Sequence, residues 1–545
     1  LYLWQEPTSA NCSTKGLLIR MRYIFTLALL LATACTHAAD CPSTPGNERF
    51  FSNSWGISSD NSRYQSSANT SITADNVDEL ELAWVFGFED SESPHSYPLI
   101  TEDTVYIGSD AGILYALERE TGCLRWRFQA DGDIRTAIVH GRVEHNAVTH
   151  TLLFFGTFEG SVYALNALSG DQVWQKEMDP HRFAMVTGTP VFHQGRLFVP
   201  VSSYELMVAA VPFYECCDFR GSVASLDAVS GDEIWRFYTI EDKASVRGNY
   251  WFFFDKLGPS GAPVWQSPAV DPKRNRLYFA TGENYTDPAT DTSDAVFALD
   301  LDSGELIWKR QFTEQDAYNA ACEIGGPSCP ESNGPDLDFG APPILTQDSA
   351  NNDILLAGQK SGVVHAMNPN NGEILWQMRA GQGGKLGGIH WGMAVNPELD
   401  TLFVPISDRS IFAEGQLQPA PGLYALSIDD GTQQWSATPK ANCDHRKGCY
   451  GGFSAAITAA NDLVFAGRLD GSIMAYRAAD GEQLWYHDSW RNYESVSGAG
   501  TEGGPIDVHG PMVAADMMFI SAGYSSFGQK GGNAFLAFKL RQTNQ

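Results

Sequence analysis

Hydrophobic and polar positions repeat as one block seven times along this chain. Each copy runs aromatic or small residue, alanine (serine once), bulky apolar residue, a short turn, glycine, three residues, tryptophan. The first is Tyr115-Ala116-Leu117…Gly122…Trp126, and later copies end at Trp174, Trp235, Trp308, Trp376, Trp435 and Trp485. The glycine stands four residues before the tryptophan in all seven. An apolar strand that ends in an Asp/Asn/Ser/Thr-Gly turn, with glycine supplying a positive φ, predicts a β-hairpin. Its second strand would carry the tryptophan into the gap between neighbouring sheets. Upstream of each copy lies another β-rich run, such as Thr104-Val105-Tyr106-Ile107-Gly108, which makes four short strands per repeat, the pattern of a propeller blade. Trp84 has the tryptophan strand without its hairpin, whereas residues 517–520 and 534–538 have the hairpin strands without a tryptophan. Joining them closes the ring and removes the free sheet edges. The expected fold is all-β: an eight-bladed β-propeller over residues 40–545, with its N-terminal strand in the last blade.

Tryptophan-to-tryptophan intervals are 42, 48, 61, 73, 68, 59 and 50 residues, so insertions concentrate in blades three to six. Long loops on a rigid scaffold are where sites are built, which places the site on that face. Composition agrees with a β-rich globular chain: 43% hydrophobic, 12% aromatic, 52 glycines and 14 tryptophans in 545 residues. The net charge of -29 repels phosphate backbones and anionic lipid, which argues against nucleic acid as a partner.

The N-terminus reads as a targeting segment rather than fold. Residues 1–20 show no pattern and read as an upstream mis-call, with Met21 as the start. Arg22, the apolar run from Ile24 to Ala32 and the small residues up to Ala39 form a secretory signal over 21–39, too short to be a transmembrane span. The expected location is periplasmic. Ala32-Thr33-Ala34-Cys35 also has the form of a weak lipoprotein box, so anchoring at Cys35 is the alternative.

Export implies an oxidising compartment, and eight cysteines follow the signal. Cys322 with Cys329 and Cys443 with Cys449 each enclose a short loop and read as local disulfides. Cys41 and Cys123 then remain, tying the N-terminal arm to the first repeat, and adjacent Cys216 and Cys217 would close an eight-membered ring. Free thiols or crossed pairings stay open. No Cys-x-x-Cys-His occurs, so the chain attaches no c-type haem of its own.

The block, with tryptophan docking motifs throughout, resembles the quinoprotein alcohol dehydrogenases, whose propeller binds pyrroloquinoline quinone (PQQ). The opening Trp55-Gly56…Asn61-Ser62-Arg63-Tyr64 is similar to that family's N-terminal segment. The resemblance implies roles at matching positions. Arg196 to Glu205 matches a strand ending in a calcium-binding glutamate, so Glu205 is an expected metal ligand, chemically apt because Ca²⁺ takes hard carboxylates. Thr187 falls where the family has a cofactor-bonding threonine. Trp265, outside the repeat register, matches the tryptophan lying flat beneath the cofactor ring. In Thr281-Gly282-Glu283-Asn284 the family's ligating asparagine slot holds Glu283, with Asn284 next, so either is a candidate metal ligand.

Asp316, in Gln315-Asp316-Ala317-Tyr318, matches the catalytic aspartate that takes the substrate hydroxyl proton. Lanthanide-using relatives place a further aspartate two residues later. Tyr318 stands there, which favours Ca²⁺. Lys360 aligns with a basic residue contacting the quinone oxygens, where a cation would stabilise charge on the reduced ring. Cys216-Cys217-Asp218-Phe219-Arg220-Gly221 departs from most of the family, in which the cysteine pair comes one blade earlier. Its placement resembles the polyvinyl-alcohol dehydrogenase subgroup, and it makes Cys216, Cys217 and Arg220 candidate cofactor contacts.

The resemblance implies a PQQ- and Ca²⁺-dependent alcohol dehydrogenase that oxidises a secondary alcohol, polymeric or small, to a ketone. Only Asp40 to Phe50 precede the propeller after the signal, so electrons are expected to leave to a separate cytochrome c or other acceptor. The competing readings are a non-enzymatic propeller scaffold of the outer-membrane assembly type and a quinoprotein dehydrogenase or hydroxylase for another small alcohol. A scaffold would need neither an out-of-register Trp265 nor adjacent cysteines.

Overall fold

Each repeat folds as the hairpin its sequence predicts, and the reason for the invariant glycine is steric as well as conformational. Gly122, Gly170, Gly231, Gly304, Gly372, Gly431 and Gly481 all have φ between +69° and +75°. Each also lies flat against the indole of the preceding blade: a Cβ on Gly431 would stand 2.6 Å from the Trp376 ring, and one on Gly122 2.6 Å from Trp84. The same indoles donate Nε1–H to a backbone carbonyl beside that turn, as in Trp376 to Ile428 (2.9 Å) and Trp235 to Leu301 (3.1 Å). Glycine and tryptophan are thus two halves of one contact between adjacent blades, and the four-residue interval within a blade comes from the hairpin register, which pairs Ala116 with Trp126 and Ala425 with Trp435.

The computed structural model describes Cys41 and residues 49–145, 147–250, 254–409 and 420–541. The readings of residues 1–20, of the signal at 21–39 and of Cys35 lie outside them. Residues 40–545 form one unit in which the described residues build eight blade sheets, six of four strands and two of five, each running outward from an inner strand to a tryptophan strand. Blades 1 to 7 span residues 99–129, 139–177, 191–238, 269–311, 344–379, 394–437 and 458–488. Blade 8 joins strands Met512–Ala514, Met517–Ala522 and Ala534–Leu540 to the N-terminal strand Leu80–Gly87, paired antiparallel with Ala534–Leu540. Trp84 then docks on Arg119 O of blade 1 and Trp485 on Leu80 O of blade 8, so the ring closes as expected.

The apolar cores lie in the gaps between sheets, one for each neighbouring pair. A feature the repeat does not announce is the arm at residues 59–69. Its carbonyls accept inner-strand N–H groups blade after blade: Val270 to Ser59, Leu345 to Asp60, Val395 to Ser62, Ala459 to Arg63 and Ala515 to Asn69. The arm thereby covers inner edges that would otherwise stay unpaired. Disulfides join Cys41–Cys123, Cys216–Cys217, Cys322–Cys329 and Cys443–Cys449, the expected pairing. No helix among the described residues is long and apolar enough to cross a membrane.

Gly431→Ala is expected to lower stability by more than the ~1–2 kcal/mol of a left-handed alanine, because the methyl also meets Trp376. Gly195→Ala is the control: its φ is +78° and a Cβ there meets nothing within 4 Å. Thermal unfolding of the two variants should separate them, and equal melting points would mean that the indole contact contributes nothing.

Candidate active site

The acidic side chains with site chemistry come from blade 4 and from the connection between blades 4 and 5. Asp316 follows the tryptophan strand Leu306–Gln311 of blade 4. Its segment is pinned beside Asn284 by Asn284 N–H to Asp316 O (3.0 Å) and Tyr318 N–H to Asn284 O (2.9 Å). The Asp316 carboxylate is fully buried and accepts the N–H groups of Asp336 (3.2 Å) and Leu337 (3.0 Å). Burial raises its pKa, the Leu337 N–H opposes this, and the neighbouring Asp338 raises it further. Gly334 packs directly on it, where a Cβ would lie 2.2 Å from Oδ1. Such a carboxylate has one fixed orientation.

Around it lies a group of acids that sequence reasoning missed in part. Glu283, Asp336 and Asp338 have carboxylate oxygens within 4.8 Å of one another, and all three are buried. Lys360 bonds Asp336 (2.9 Å) and Asp338 (3.0 Å), while the Glu283 N–H bonds Asp338 Oδ1 (2.9 Å). Buried Asp294 lies near Asp316, and its carboxyl is pushed well up by burial and by that neighbour. Burial and the Asp338 charge likewise push Glu283 well above its ordinary range. Asp336 is pushed up to about 7 by burial, against the pull of Lys360. Burial would lower Lys360, but Asp336 and Asp338 outweigh it and hold the ammonium charged. Five buried carboxyl groups thus cluster here, and the Lys360 ammonium bonds two of them. A set of hard oxygen donors with this excess of negative charge fits a hard cation such as Ca²⁺.

The Lys360 ammonium also stands 5.4 Å from the Trp265 ring centroid, which links the acid group to the aromatic one. Trp265 is held edge-on by Trp391 (5.3 Å) and backed by Gly340, where a Cβ would come 2.5 Å from the indole. Thr187 lines the same cleft, together with Arg135 and His509. Thr187 Oγ1 is 2.7 Å from Ser202 Oγ. The Arg135 guanidinium lies 4.3 Å from the Trp391 ring centroid. A flat indole, a hydroxyl and two cations fit a planar, anionic quinone such as PQQ. Arg135, Trp391 and His509 are additions: they stand on three different connections between blades, with no local motif to link them.

Other expected residues are placed apart. Glu205 follows the strand Arg196–Ser203 and is buried, but its carboxylate takes Tyr214 O–H (2.7 Å) and the N–H groups of Asp218 (3.1 Å) and Phe219 (2.9 Å). It groups with His181 and Asp218, not with Glu283. Burial would lower His181, but its bonds to Asp218 and Glu205 raise it to about 9. Glu205 thereby clamps the segment carrying Cys216 and Cys217. The Asn284 side chain donates to Ser260 O (3.1 Å) and accepts Thr290 N–H (2.7 Å), so it staples loops while Glu283 enters the acid group. The Arg220 guanidinium turns to Glu241 O (2.7 Å) and stacks on Tyr238. Cys216 lines a hollow that also reaches Gln315, next to Asp316.

Comparison with known proteins agrees with this geometry. The family model "Glucose/ethanol/alcohol dehydrogenase, beta-propeller domain" matches residues 53–325. The model "Outer membrane protein assembly factor BamB" matches residues 360–510, beyond the Glu283–Asp338 stretch. A polyvinylalcohol dehydrogenase of Pseudomonas sp. is 34% identical, covering 90% of this chain and 76% of the relative. One of Sphingopyxis sp. is 33% identical over 88% and 73%. The solved quinohemoprotein alcohol dehydrogenase ADHIIG of Pseudomonas putida shares the fold, with a TM-score of 0.67 at 18% identity over 90% of this chain and 80% of that one. With identity at this level over most of both chains, and a site suited to a flat quinone, the chain belongs to the PQQ-dependent (quinoprotein) alcohol dehydrogenases.

Proposed function

We propose that the protein oxidises secondary alcohols, polyvinyl alcohol or similar, to ketones with PQQ and Ca²⁺. The observation that carries this reading is Lys360, bonded to the acid group on one side and set over Trp265 on the other. Trp265 would support the quinone ring, with Thr187, Arg135 and Lys360 at its polar edges. Glu283, Asp336 and Asp338 would hold the cation. Bound PQQ supplies the two-electron acceptor for the carbinol hydrogen. Asp316, fixed by two N–H donors, takes the hydroxyl proton at its carboxylate as the C–H bond breaks. Buried surroundings keep water from competing for that proton. The polymeric substrate is supported by the names of the relatives at 34% and 33% identity. Electrons leave to a separate cytochrome c or other carrier, and the protein works in the periplasm.

Titrating the apoprotein with PQQ tests the cofactor assignment. Tryptophan fluorescence should be quenched on binding, more tightly with Ca²⁺ than without, and Trp265→Ala should weaken the binding that the quench of the remaining indoles reports. Binding that is indifferent to both Ca²⁺ and Trp265 would refute it.

A further inference from the structure

Resting on that reading, we propose that the substrate site continues outward as a cleft across the blade 3 and blade 4 insertions, which binds the uncharged, polyhydroxylated chain of a polymeric alcohol on either side of the unit being oxidised. Two hollows, of about 630 and 510 Å³, flank the hairpin formed by Ser245–Tyr250 and Phe254–Gly258. Both are lined by Leu257, and neighbouring Glu215 and Cys216 stand one in each, so the hollows lie side by side. The inner one reaches exposed Gln315, the residue before buried Asp316. A chain lying in both would run past the segment that carries the proton acceptor.

The lining says what kind of chain. At the outer end Phe213 is 64% exposed, with its ring 5.5 Å from Phe254, and Val211, Met207 and Tyr204 of the same insertion are exposed too. Apolar side chains grouped beside a site mouth mark a binding surface. At the inner end Thr286, Gln315, Ser328 and Ser332 offer hydroxyl and amide groups. That wall is built in advance. Asp287 holds Glu331 N–H (2.6 Å) and Ser332 Oγ (2.9 Å), and the Cys322–Cys329 disulfide anchors Ser328. Charges of both signs balance: Arg247 and Lys256 face Asp287 and Glu331 inside, and His181 and Arg182 face Glu215 and Asp218 outside. The lining itself thus carries no net charge to select an anion or a cation. Apolar walls with interspersed hydrogen-bonding groups suit a backbone in which methylene alternates with carbinol.

The test compares holoenzyme and its Phe213→Ser and Phe254→Ser variants on long-chain polyvinyl alcohol and on pentane-2,4-diol. A parallel titration measures binding of fluorescein-labelled polyvinyl alcohol to the apoproteins. The cleft predicts that kcat/KM for polymer falls about tenfold in each variant while that for the diol is unchanged, with polymer binding weakened by a similar factor. Unchanged polymer kinetics and binding, or equal losses on polymer and diol, would overturn it. If the holoenzyme oxidises neither alcohol, the functional reading fails, and the titration still decides the cleft: labelled polymer that binds and is weakened by Phe213→Ser sustains it, and polymer that does not bind refutes it.

Discussion

Asp316→Asn is expected to lower kcat by about 10³-fold, within the usual range for loss of a general base, while PQQ and Ca²⁺ still bind. The amide has the same shape, so the packing of Gly334 on the side chain persists. Its oxygen can accept from only one of Asp336 N–H and Leu337 N–H, and its NH₂ then faces the other donor. That mismatch costs about 1–3 kcal/mol of stability and leaves the variant folded. What is lost outright is a group able to take a proton. Rates measured with saturating alcohol, alongside cofactor binding by fluorescence, separate the two effects. Turnover retained in a variant that binds PQQ normally would remove Asp316 from the base role.

Lys360→Met should be the most destabilising substitution in the site, by about 3–5 kcal/mol, because it strips the one ammonium from buried Asp336 and Asp338. The loss depends on pH in a defined direction. Asp336 already titrates at about 7, raised by burial against the pull of Lys360, and without the ammonium it titrates higher still. A carboxyl whose folded pKa lies above its unfolded value contributes stability at low pH and loses it as pH rises through the folded value. The variant should therefore lose least near pH 5 and most near pH 8, and added Ca²⁺ should restore part of the loss. A melting point that falls equally at both pH values and ignores Ca²⁺ would contradict the shared-ammonium picture.

The propeller was legible because one hairpin carries both halves of the blade contact at constant spacing. Each repeat glycine receives the indole of the previous blade and the tryptophan four residues on reaches the next, so the hairpin register holds the two together in all seven copies. Ring closure through Trp84 followed from the same logic. Of the candidate site, the sequence names only residues that a local motif carries, such as Trp265, Asp316 and Lys360. Asp336 and Asp338 were not legible, because their partners are remote: Lys360 lies 24 and 22 residues away and Glu283 is 55 residues from Asp338. An Asp-x-Asp pair in a Gly/Pro-rich loop reads equally well as solvated turn. Of the alternatives at 283 and 284, both are buried, and the Asn284 side chain is taken up by Ser260 O and Thr290 N–H while Glu283 joins Asp336 and Asp338. Glu205 ends the expected strand, but the insertion after it folds back, so the Asp218 and Phe219 N–H groups occupy its carboxylate.

The most direct measurement is reduction of an artificial electron-accepting dye by the purified protein, with and without PQQ and Ca²⁺, on polyvinyl alcohol, 2-butanol and ethanol. The account predicts dye reduction that requires both PQQ and Ca²⁺ and is faster with the secondary alcohols than with ethanol. Reduction without added PQQ or Ca²⁺ by cofactor-free protein, or none with any alcohol once PQQ is bound, would contradict it.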